Sequence, residues 1–133
     1  MNTMTATSEI TRHAQVSEWT SVCEISDLTP DTGVCALINQ KQIAIFHSRR
    51  LNEYFAIGNY DPIGEANILS RGIIGSIGDA VVVASPLYKQ HFNLRTGECL
   101  EKPEHTVPTY AIRIQDGLVQ VHAKPVSLDP CRR

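Results

Sequence analysis

The 133-residue chain has no apolar run near the roughly 18 residues that a membrane-spanning helix needs, so no helical span is expected. It has no secretory-type opening either, because Met1 to Gln15 is polar and lacks an apolar stretch. Basic residues are not concentrated anywhere beyond Arg49-Arg50 and Arg132-Arg133, and the formal net charge is −2, which argues against a nucleic-acid surface. No C-x-x-C occurs. Cys23, Cys35, Cys99 and Cys131 stand alone in separate segments, none within four residues of a histidine, so zinc-type spacing is absent. Reduced structural or surface thiols in a cytoplasmic protein are the expectation. Helical periodicity is almost missing; Gly64 to Leu69 is the one helix candidate, too short to stand alone.

What remains is ordinary globular composition, 42 % hydrophobic and 20 % charged, at a length that suits one domain. Residues 1–16 read as a flexible leader, 17–124 as the domain and 125–133 as a tail. Within 17–24 the apolar anchors are Trp19 and Val22, followed by Ile25, and Thr29-Pro30-Asp31-Thr32-Gly33 supplies turn residues. Val34 to Ile38 and Gln42 to His47 form a hairpin around Asn39-Gln40-Lys41, read as a three-residue loop. Tyr54 to Gly58 is a further strand, and the β-branched segments 72–78 and 80–84 meet at a Gly78-Asp79 turn. Tyr110-Ala111-Ile112-Arg113-Ile114 alternates outward and inward, Asp116-Gly117 is a type I′ pair, and Leu118 to Val121 returns. Short strands at turn-separated intervals predict an all-β fold, a small antiparallel barrel or sandwich.

Two loops carry the most specific signal. The first runs Asp61-Pro62-Ile63-Gly64 after Tyr54-Phe55-Ala56-Ile57. The second runs Ser85-Pro86-Leu87-Tyr88 after Val81-Val82-Val83 and leads to Phe92-Asn93-Leu94-Arg95-Thr96-Gly97. With Ser70-Arg71-Gly72 and the terminal hairpin, this order resembles the Rieske [2Fe–2S] ferredoxin family from Tyr54 to Val121. That family has a Cys-x-His loop, a glycine segment, a Cys-x-x-His loop and a closing hairpin. The resemblance implies a small β-barrel with a smaller loop-bearing subdomain. It also maps the four ligand positions to Asp61, Ile63, Ser85 and Tyr88.

A Rieske centre takes two thiolates and two imidazoles. Ile63 has no lone pair, Ser85 would have to ionise, and Asp61 and Tyr88 are hard donors where the cluster favours soft ones. No cluster, other cofactor, metal or catalytic residue is therefore expected in this chain. Ile63, Leu87 and Tyr88 are expected to fill part of the vacated space, and the loop tip, with His91 in a hydrogen-bonding role, to contact a partner. The loss of ligands, the FNLRTG-type segment and the Trp19 strand resemble the branch formed by small subunits of assimilatory NAD(P)H-dependent nitrite reductases. What that implies is an accessory subunit and, as partner, a large subunit carrying FAD, sirohaem and an iron–sulfur cluster that reduces nitrite to ammonium. Two alternatives stay open: a stand-alone electron-transfer ferredoxin, and a cluster-less β-barrel protein-binding module.

Overall fold

The computed structural model describes residues 18–126, so the expected leader 1–16 and residues 127–133 of the expected tail lie outside the described residues, as does Cys131. The strands are β1 (Trp19–Glu24), β2 (Gly33–Ile38), β3 (Lys41–Ser48), β4 (Glu53–Gly58), β5 (Tyr60–Asp61), β6 (Ala66–Asn67), β7 (Ile73–Ile77), β8 (Ala80–Ala84), β9 (His91–Asn93), β10 (Thr109–Gln115) and β11 (Leu118–Pro125). Six of them form one antiparallel sheet in the order β1-β11-β10-β4-β3-β2. The sheet curls until its two edges, β1 and β2, line one cavity of about 310 Å³, which makes it a nearly closed barrel. A three-stranded sheet, β7-β8-β9, and the short β5-β6 pair make the smaller subdomain.

Strand β3 explains why both layers hold. Its run Ile43-Ala44-Ile45-Phe46 is buried throughout, and a strand alternates faces residue by residue. Ile43 and Ile45 enter the barrel interior with Leu28, Ile38, Ala56, Tyr110, Val119 and Val121. Ala44 and Phe46, with Phe55 and Ile57 of β4, enter a second cluster with Val81, Val83, Phe92 and Leu94 of the subdomain. One strand thus belongs to two cores.

The FNLRTG segment is a structural turn. Phe92 and Leu94 are buried, while Asn93 Oδ1 accepts from Arg95 N at 2.8 Å and Thr96 N at 3.2 Å. Gly97 has φ +81°, and a Cβ there would overlap the Val107 carbonyl oxygen, so glycine is required twice over. Arg95 forks onto Glu53 at 3.0 and 2.5 Å and lies over the Phe55 ring, tying this turn to β4.

Several expectations are corrected. The 34–47 hairpin turns on two residues, not three: Asn39 and Gln40 both have positive φ, and Ile38 already pairs with Lys41. Gly64 to Ile68 is not helical, and Leu69 only opens a short 3₁₀ turn (Leu69–Arg71). Glu65 sits at φ +57° and its N–H reaches the Asp61 carbonyl at 2.7 Å, so the chain doubles back and Ala66 pairs with Asp61. Ile25 is exposed in a 3₁₀ turn (Ile25–Asp27), and Leu28 is the buried anchor instead. A bulge between Ser21 and Cys23 lets both Val22 and Cys23 face the barrel interior. The Asp116-Gly117 turn is as expected, with φ +55° and +78° and Gln115 paired to Leu118.

Gly97→Ala is expected to lower stability by more than about 1 kcal/mol, read as a shifted urea midpoint. The hydrogen bonds from Arg95 hold the Glu53 carboxyl below its ordinary value of 4.5. A carboxyl lowered by folding stabilises at pH above its unfolded value, and that contribution is lost as pH falls through the folded value. Carboxyl-carbon NMR should show Glu53 titrating low, and Arg95→Ala should return it to the ordinary range.

Candidate functional site

The first loop is hung from a buried asparagine. Asn59 Oδ1 accepts from Ser70 N at 2.7 Å, and its Nδ2 donates to Gln42 Oε1 at 3.0 Å. Its carbonyl accepts from Ile68 N and Leu69 N, each at 3.0 Å, so one residue pins the start and return of loop 59–71. An Asn at a strand end, free to bond neighbouring backbone, is the signal that could have singled it out. The second loop closes on itself: Ser85 N donates to the Gln90 carbonyl at 2.8 Å and Lys89 N to the Ser85 carbonyl at 3.0 Å, with Lys89 at φ +61°.

Between these loops lies Asp61, fully buried. Its Oδ1 accepts from Ile63 N at 2.8 Å and Gly64 N at 3.0 Å, and Ser85 Oγ donates to Oδ2 at 2.5 Å. The two positions mapped to thiolates are therefore bonded directly to each other. A Cβ at Gly64 would lie 2.8 Å from Leu87 Cδ1 and 3.0 Å from Asp61 Oδ2, so the missing side chain is what lets the loops approach. Ile63, at an imidazole position, packs partly against the subdomain core. Leu87 is half-exposed and Tyr88 stands mostly in solvent, so Tyr88 does not fill the space between the loops.

His91 is turned elsewhere. Its backbone N–H and Nδ1 meet the Glu101 carboxyl at 2.8 and 2.6 Å. Partial burial pushes the Glu101 carboxyl up, but the bonds from the His91 backbone and ring outweigh it and leave it below the usual range. Cys99 is buried in the subdomain core, and burial raises its thiol, which makes it an inert core residue. A further residue, Ile73, joins the loop end unannounced. It pairs with Ala84, next to Ser85, and is exposed while its neighbour Ile74 packs inward. Strand alternation required one of that doublet to face out.

A Rieske cluster does not fit this donor set. The carboxyl and hydroxyl at two positions satisfy each other, the third side chain is hydrocarbon and the fourth is an exposed phenol. Among the described residues no group of three or more His, Cys, Asp or Glu is arranged to hold a metal ion.

Ser85→Ala leaves the buried Asp61 carboxyl short of one of its three donors, at an expected cost of about 1–3 kcal/mol. Denaturant unfolding reads that cost, and amide exchange at Ile63 and Gly64 should quicken in parallel.

Residues 18–122 match the family model for a Rieske-like [2Fe–2S] domain. The nitrite reductase (NADH) small subunit of Escherichia coli K12 is 44 % identical over 106 residues, covering 80 % of this chain and 98 % of that one. The solution structure of the nitrite reductase [NAD(P)H] small subunit from Erwinia carotovora superposes with a TM-score of 0.70 at 44 % identity, covering 86 % of this chain and 88 % of that one. A nitrite reductase [NAD(P)H] large subunit from Klebsiella oxytoca contains a stretch 35 % identical over 103 residues, 77 % of this chain but 11 % of that protein. The chain belongs to the Rieske-like domain family, in the branch formed by the small subunits of NADH-dependent nitrite reductases.

Proposed function

We propose that this chain is a non-catalytic accessory subunit that binds a cytoplasmic nitrite reductase large subunit and holds no cluster of its own. The observation that carries the reading is the Ser85–Asp61 hydrogen bond at the thiolate positions, beside a hydrocarbon Ile63 where an imidazole would be needed. With no redox centre in the chain, no electron passes through it. FAD, sirohaem and an iron–sulfur cluster would belong to the large subunit, which draws electrons from a nicotinamide to reduce nitrite to ammonium. The Klebsiella oxytoca large subunit, with a related stretch inside one polypeptide, supports that partnership. Among the described residues no helix is long and apolar enough to cross a membrane.

The chain purified alone should be colourless and iron-free, and should not oxidise NADH or NADPH with nitrite. Mixed with its purified large subunit it should co-elute as one complex that does. A stoichiometric diiron centre in the isolated chain, seen by electron paramagnetic resonance after reduction, would overturn the reading.

A further inference from the structure

The two tied loops present an unusual surface. Of the exposed large hydrophobic side chains among the described residues, Ile73 at 76 %, Leu37 at 70 %, Tyr88 at 65 % and Leu87 at 50 % stand out furthest. Three of these four fall at one end of the subdomain, since Ile73 pairs with Ala84, and Leu87 and Tyr88 follow within four residues of Ala84 in the second loop. Leu37 lies apart on β2, on the six-stranded sheet. Exposed apolar side chains scattered singly need no explanation, whereas a cluster of them marks a contact.

The surface is also uncharged at its centre. Asp61 is fully buried beneath it and bonded to Ser85, while Lys89 and Glu65 are exposed in the flanking turns. An apolar middle with charges around it is the layout of a protein contact. In the same second loop Gln90 Oε1 is buried with no hydrogen-bond partner among the described residues.

We propose that Ile73, Leu87 and Tyr88 form the anchor that docks this chain on the nitrite reductase large subunit, against an apolar, uncharged recess of that protein. The inference rests on the accessory-subunit reading. The occupant follows from the Klebsiella oxytoca protein, in which a related stretch is part of the large subunit's own chain and is thereby held at high effective concentration beside the reductase. Tyr88 supplies a large aromatic body with a polar tip, a side chain enriched among the residues that dominate such contacts. The Ser85–Asp61 bond acts beneath as a clasp that keeps Leu87 and Tyr88 in register with Ile73.

The test measures the affinity of the purified chain for the purified large subunit by isothermal titration, with Ile73→Asp, Tyr88→Asp and Tyr88→Ala, and with Leu37→Asp as control. The aspartate variants should weaken binding about ten-fold or more and Tyr88→Ala by a smaller factor, while Leu37→Asp stays within about two-fold of wild type. All three positions are exposed, so thermal unfolding should match wild type. If an aspartate variant unfolds early, Tyr88→Ala decides. Wild-type affinity in the loop-end variants, or a loss confined to Leu37→Asp, overturns this docking face and leaves the accessory reading standing. Failure of the wild-type chain to bind at all overturns the accessory reading itself.

Discussion

A hydrogen bond of 2.5 Å from Ser85 Oγ to Asp61 Oδ2 ties two loops that approach from different strands. A buried carboxyl demands donors, and the first loop supplies two from its own backbone while the second supplies the third. The clasp is thus specified from both sides. Gly64 completes it, because any Cβ there would push against Leu87.

Two apolar cores hold the body from which these loops extend. Burying an aromatic or branched side chain contributes about 1.5–3 kcal/mol, and the subdomain cluster buries Phe46, Phe55, Phe92, Ile57, Leu69, Leu94, Val81 and Val83. Strand β3 supplies one face to that cluster and the other to the barrel interior, so the two layers cannot separate without exposing both. The loops therefore extend from a body already fixed in place, and Asn59 positions the first of them by bonding both of its ends.

Much of this was legible in the residues. The all-β class and the β10–β11 hairpin with its Asp116-Gly117 turn followed from alternation and turn chemistry, and the paired loops from the family resemblance. What was hidden shares one cause. Asn39 and Gln40 in left-handed conformation, Glu65 reversing the chain, and the bulge that turns both Val22 and Cys23 inward depend on pairing partners that local sequence does not name. The same holds at the site. The residue types at 61, 63, 85 and 88 exclude the cluster's donors, yet nothing in the sequence says that Asp61 and Ser85 would bond one another. Nor does it say that Tyr88 would stand in solvent.

The retained FNLRTG segment shows why fold and chemistry separate so cleanly. Each of its residues has a duty that involves no metal: Phe92 and Leu94 fill the core, Asn93 caps the turn, Arg95 grips Glu53, Thr96 accepts from Glu98 N, and Gly97 supplies a left-handed backbone against Val107. A segment with such duties is required by the scaffold whether or not iron is bound. Its presence identifies the fold and is silent on the cofactor. Only the donor atoms speak to that, and in this chain two of the four positions are engaged with each other while a third has none to offer.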